Sequence, residues 1–110
     1  MLEGMDLKGL RLALDFEGGR ILSLVSSEPK TAKEISQILK IPLTRCYRQL
    51  RALEQYNLIT KNKKRKRGEL YMSNLWSFKI IIDHTKFSHE IVFNDGRRRI
   101  IEFEMGCETE

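Results

Sequence analysis

Everything else in this 110-residue chain has to fit around a corner at residues 40–42. Upstream, Thr31-Ala32-Lys33-Glu34 sets a hydroxyl three residues before a carboxylate, a pairing that caps the orphan N–H groups of a helix start reciprocally. Ile35, Ile38 and Leu39 then repeat at i, i+3 and i+4, one apolar helical face. Lys40-Ile41-Pro42 breaks the pattern: proline lacks an N–H and disfavours helix in the residue before it, so Ile41 belongs to a turn and Pro42 to the first turn of a new helix. Cys46, Leu50 and Leu53 recur at i, i+4 and i+7 as that helix's core face. Its other faces carry Thr44, Arg45, Tyr47, Arg48, Gln49 and Arg51. A short helix, a tight corner and a second helix with a basic, hydrogen-bonding outer face is how a protein presents side chains to a DNA major groove.

A chain of this length is one domain by the usual prior and can bury one core. Apolar residues make up 41% and charged residues 32%, which fits a globular protein. No run approaches the ~20 apolar residues of a membrane span. Residues 1–16 intersperse acids and offer no small-residue cleavage site, so a signal peptide is not expected. Cys46 and Cys107 lie far apart, one on a core face, which argues for reduced thiols in a cytoplasmic compartment. Net charge is +5 and unevenly spread: residues 57–75 hold six Lys/Arg against one acid, whereas residues 76–110 hold five against seven. A localised basic patch is the footprint of a polyanion partner.

Along the chain, residues 7–14 fit a helical stripe better than a strand. Asp15 can cap a helix over 16–27, whose first turn Gly18-Gly19 weakens. Glu28-Pro29-Lys30 reads as a connector to helices over 31–40 and 42–56. Asn57 can stop the last of these in a left-handed conformation. Residues 58–61 and 69–73 read as the strands of a β-hairpin, with 62–68 as its loop. The hairpin's basic residues are Lys61, Lys63, Lys64, Arg65, Lys66 and Arg67. Residues 78–83, 90–94 and 98–103 are β-rich, the last two separated by Asp95-Gly96, a tight-hairpin signal. Ile80-Ile81-Ile82 and Ile91-Val92-Phe93 are apolar on both faces of their strands, which calls for cover on both sides. Trp76 reads as a packing anchor. His84 and His89 flank an expected loop at 85–88, and with Cys107 they form no recognised ligand spacing, so no metal site or cofactor is expected. There is no Gly-rich phosphate loop, suggestive carboxylate pair or Ser/His/Asp set, so the chain does not read as an enzyme.

The order helix, helix, helix, basic hairpin resembles a winged helix-turn-helix of the ArsR/MarR type. Carrying the resemblance are Arg20-Ile21-Leu22-Ser23-Leu24-Val25, residues 31–41, Leu50-Arg51-Ala52-Leu53-Glu54 leading into Asn57-Leu58-Ile59, and Gly68-Glu69-Leu70-Tyr71-Met72-Ser73. Thr31 and Lys33 stand about where the metal-sensing ArsR members carry cysteines, so that site is absent. The expected architecture is α+β: a winged helix over 1–75 with its wing at 58–74, an antiparallel β meander over 76–105 packed on the same core or at a dimer interface, and a frayed tail at 106–110. The resemblance implies a homodimeric, sequence-specific regulator of transcription bound to double-stranded DNA, most simply a repressor. Thr44, Arg45 and Gln49 would face base edges, Tyr47 and Arg48 bases or phosphates, and Arg51 the backbone, with the wing on phosphates or in the minor groove. Winged helices also serve as protein-interaction modules, and a basic hairpin can bind RNA; both alternatives stay open at this point, and the sequence names no effector.

Overall fold

The computed structural model describes residues 9–10, 13–65 and 68–104, with backbone alone at 63–65, 103 and 104. The chain divides into two compact units, Met1–Asn74 and Leu75–Glu110. In the first, α1 (Phe16–Leu24), α2 (Ala32–Leu39) and α3 (Leu43–Gln55) precede an antiparallel ribbon of β1 (Ile59–Arg65) and β2 (Gly68–Ser73). The second is a three-stranded antiparallel sheet of β3 (Leu75–Ile82), β4 (Lys86–Phe93) and β5 (Arg98–Glu104), with β4 in the middle. The fold is therefore α+β, three helices followed by antiparallel strands.

Local chemistry sets the helix ends. Asp15 Oδ1 accepts from Gly18 N at 2.8 Å and starts α1. Thr31 and Glu34 form the expected capping box: Glu34 N donates to Thr31 Oγ1 at 3.2 Å and Thr31 N to Glu34 Oε1 at 2.9 Å. Lys40 ends α2 at φ 59°, and Pro42 caps α3 through its carbonyl, which accepts from Cys46 N at 2.9 Å. Asn57, at φ 61°, takes the left-handed conformation its side chain tolerates and turns the chain into β1. Leu10, Ala13, Ile21, Ile35, Leu50, Leu53 and Leu58 are buried, as is Cys46, whose thiol points at the Ala32 carbonyl. Burial, and to a lesser extent the charge of Glu17, pushes the Cys46 thiol above its ordinary pKa, the state of a structural rather than a reactive cysteine.

Five expectations change. Helix α1 stops at Leu24 instead of continuing to residue 27, because the Val25 carbonyl accepts from Ser73 N of β2 at 3.1 Å and Ser26 bonds back to Ser23. Lys30 is not a bare connector: it exchanges both backbone bonds with Tyr71, at 3.1 and 2.8 Å, adding a bridge beside β2. Residues 62–65 are strand rather than loop, β1 running on through an irregularity between Asn62 and Arg65 to the Arg65–Gly68 pair. His89 is not at a loop end, since β4 begins at Lys86. Its fully buried ring lies mid-strand, with centroids 4.9 Å from Phe87 and 5.6 Å from Phe78. Trp76 is not a buried anchor but 74% exposed. Of the expected N-terminal helix, residues 9, 10 and 13 are helical, and the remainder falls outside the described residues, as does the tail at 106–110.

In the sheet, Phe78, Ile80 and Ile82 stand opposite Ile91, His89 and Phe87 on one face, and Ile81 projects to the other. Residues 83–85 turn around the Asp83 carboxylate, which accepts from Thr85 N at 2.8 Å and Lys86 N at 3.0 Å; these bonds hold its pKa below the usual value. The next turn is closed by Phe93 N donating to the Arg97 carbonyl at 2.8 Å, with Gly96 at φ 92° and Asp95 accepting from Arg97 N.

Candidate nucleic-acid interface

Helix α3 presents three different surfaces. Cys46, Leu50 and Leu53 face the core. One flank is turned to the start of α1: Arg45 Nη2 donates to Glu17 Oε2 at 2.6 Å, and Gln49 Nε2 lies 3.3 and 3.2 Å from the Asp15 carboxylate oxygens and 3.5 Å from Glu17 Oε1. Two of the sequence-derived candidates thus rest on acidic partners within the protein. The outward surface carries Thr44, Arg48, Arg51 and Gln55, all exposed. Among the described residues neither Arg48 nor Arg51 has an ion-pair partner, so two guanidinium forks point outward uncommitted. Gln55 was missed by sequence reasoning, although its spacing of seven residues from Arg48 puts it on the same stripe.

On the opposite flank, Tyr47 is half-exposed at the mouth of a cleft of about 260 Å³ between α2, α3 and the ribbon, which Lys33 and Tyr71 also line. Burial and the nearby Glu69 carboxylate, 3.5 Å from its hydroxyl, push the Tyr71 pKa up to about 12. Lys61 lies 3.6 Å from Glu54 on α3 and 3.8 Å from Glu69 on β2, joining the ribbon's base to the helix. Exposed pairs of this kind add little stability, typically below about 1 kcal/mol, but this one neutralises a charge counted in the basic tip. Lys63, Lys64 and Arg65 lie on β1 beyond it, their side chains outside the described residues, as are Lys66 and Arg67 altogether. Among the described residues no group of three His, Cys, Asp or Glu side chains is placed to hold a metal ion, and no helix is long and apolar enough to cross a membrane.

The geometry is that of a winged helix, with α3 flanked by the β1–β2 ribbon. No curated protein and no solved structure matches the chain significantly. Residues 21–74, from the body of α1 to the end of the ribbon, do match a family, described as "Sugar-specific transcriptional regulator TrmB". The narrower ArsR/MarR likeness is one of sequence order only. Over residues 21–74 the chain is similar to the transcriptional-regulator domain of the TrmB family, winged-helix in type.

Proposed function

We propose that this protein is a sequence-specific, double-stranded DNA-binding regulator of transcription, a homodimeric repressor that sets α3 in the major groove and the basic ribbon on phosphates or in the minor groove. The observation that carries the reading is the outward face of α3, where Thr44, Arg48 and Arg51 are exposed and the two arginines are uncommitted. Arginine pairs bidentately with guanine, and each good pair gives roughly 1–3 kcal/mol of discrimination against the wrong base. The ribbon, with Lys63, Lys64, Arg65, Lys66 and Arg67 at and near its tip, supplies affinity by displacing counterions from phosphates. Homodimerisation draws support from the exposed Trp76, Ile80, Ile81, Ile82 and Ile100 of the second unit, apolar surface of a kind that a second copy would cover. A dimer reads two half-sites about one helical turn apart, and occlusion of a promoter is its simplest action.

Binding to duplex DNA, measured against salt, tests this. Affinity should fall steeply as salt rises, and replacing Lys63, Lys64, Arg65 and Lys66 by Ala should flatten the slope of log affinity on log salt by about 3–4. Duplexes selected from a random pool should share a palindromic consensus. No binding to any duplex at low salt, or a preference for structured RNA, would defeat the proposal; duplex-independent capture of another protein would favour the interaction-module alternative.

A further inference from the structure

We infer that sequence choice is exercised by the stripe Thr44, Arg48, Arg51 and Gln55, and that Arg45 and Gln49 are positioning residues that hold α3 on an acidic corner made by Asp15 and Glu17. The inference rests on the DNA-binding reading above and says which part of the helix does the reading. Positions 44, 48, 51 and 55 follow one another at i, i+4, i+7 and i+11, a single helical stripe, and they lie opposite the buried Cys46, Leu50 and Leu53. Arg45 and Gln49 lie off this stripe, on the flank turned to α1.

Three observations assign that flank to positioning. The Arg45 guanidinium is committed at 2.6 Å to Glu17, and a bidentate contact with guanine needs a free planar fork. The Asp15 carboxylate is used twice, as the cap that accepts from Gly18 N at 2.8 Å and as the acceptor for Gln49, so the cap of one helix is also the seat of the other. The corner itself is closely packed: a Cβ on Gly18 would fall on the backbone oxygen of Ala13, and no side-chain motion could relieve the overlap. With Glu17 neutralised by Arg45, the Asp15 carboxylate still leaves net negative charge on that side, which disfavours close approach of phosphates there and favours the stripe turned away from it. In a sequence, Asp15 and Glu17 stand 30 or so residues from their partners and carry no pattern that marks them for this task.

Selection of bound duplexes from a random pool, run on the full chain and on single variants, tests the assignment. Arg48→Ala and Gln55→Ala should each broaden the consensus at one or more positions, losing about tenfold discrimination or more there. Arg45→Ala should keep the unaltered consensus and weaken binding to selected and scrambled duplexes by the same factor. Arg45→Lys should restore that binding by re-forming the pair with Glu17, and so should the exchange Glu17→Arg with Arg45→Glu. These rescues guard against a variant that merely fails to fold. Broadening by Arg45→Ala overturns the assignment, and so does an unchanged consensus in both Arg48→Ala and Gln55→Ala. A chain that enriches no sequence at all defeats the DNA-binding reading itself, and is told apart from the other failures because the unaltered protein then has no consensus to lose.

Discussion

The two units solve the burial of apolar surface differently. In the helical unit each apolar stripe is one face of an amphipathic helix, and Ile21, Ile35, Leu50 and Leu53 disappear from solvent together with Leu58 and Ile59 at the foot of the ribbon. Its larger exposed apolar side chains, such as Phe16 and Ile38, are scattered. In the sheet unit Ile80, Ile81 and Ile82 are consecutive, so a strand of period two sends them to opposite faces, and all three are exposed. The middle strand β4 nevertheless keeps His89 and Ile91 fully buried. The first unit thus buries whole helix faces, while the second leaves the isoleucines of β3 open to solvent. The lone tryptophan, Trp76, lies in the sheet unit, whereas all three described α-helices of eight or more residues lie in the other, so tryptophan emission and helical circular dichroism follow the two units separately.

The largest effect is expected at the corner that completes the helical unit. Gly18→Ala forces a methyl into the Ala13 carbonyl, a backbone atom. Overpacking of this kind costs about 3 kcal/mol, enough to lower the melting temperature of the helical signal by 10 °C or more. A helical melt unchanged by Gly18→Ala would mean that the corner yields easily and the helical unit is not tightly closed. The paired change Ile80→Thr with Ile82→Thr probes the other unit. Both side chains are more than half exposed, so the helical melt should stay where it is, while self-association should weaken by roughly 1–2 kcal/mol in a concentration series by sedimentation. Unaltered association would show that this face is not what a second copy covers.

What was legible in the sequence follows the same division. Helix starts were readable because Asp15, Thr31 and Glu34 act within three residues of where they stand, and the Asn57 stop because its chemistry is local. The early stop of α1 was not, since it depends on a bond from Val25 to Ser73, and neither was the Lys30–Tyr71 bridge; both join segments more than 40 residues apart. The ribbon was underestimated because a run of like charges resembles a solvated loop, while the backbone bonds that pair it are blind to side-chain charge. In the interface, spacing alone gave the core side of α3. It did not separate Arg45 from Arg48, because Glu17 lies on another helix. Trp76 and His89 came out opposite to hydropathy: the tryptophan is exposed and the histidine fully buried.

pH separates the units a third way. The Tyr71 hydroxyl ionises at about 12 in the fold against about 10 in the unfolded chain, because burial and then the Glu69 charge disfavour the phenolate. A raised acid pKa gives stability that is complete below pH 10 and lost as pH climbs towards 12, at no more than about 1.4 kcal/mol per pH unit for one proton. Urea unfolding followed by the helical signal should show this loss, and Tyr71→Phe should abolish it; a slope that survives the substitution assigns it to another group. Asp83 and Asp95 in the sheet turns behave oppositely, their pKa values lowered chiefly by backbone N–H bonds, so their contribution is present above pH 4 and fades as pH falls below it.

The smallest effect expected is a gain. Lys40 closes α2 at φ 59° and ψ 47°, a conformation in which the Cβ of an L residue crowds the following carbonyl. What holds the turn does not involve the lysine side chain: Lys40 N and Ile41 N both donate to the Ser36 carbonyl, and Ser36 Oγ donates to the Ile41 carbonyl at 2.6 Å. Lys40→Gly therefore removes the crowding and leaves the bonds, at the expense of a more disordered unfolded chain. The balance should favour the variant by about 0.5–1 kcal/mol, a rise of a few degrees in the helical melt with no change in Trp76 emission. Asn57→Gly supplies the control: it has nearly the same φ, 61°, but starts from a residue that tolerates it, so its gain should be smaller. Equal gains at both positions would show that backbone crowding is not the cause. A loss at position 40 would show that the added freedom of the unfolded chain outweighs the crowding that glycine relieves.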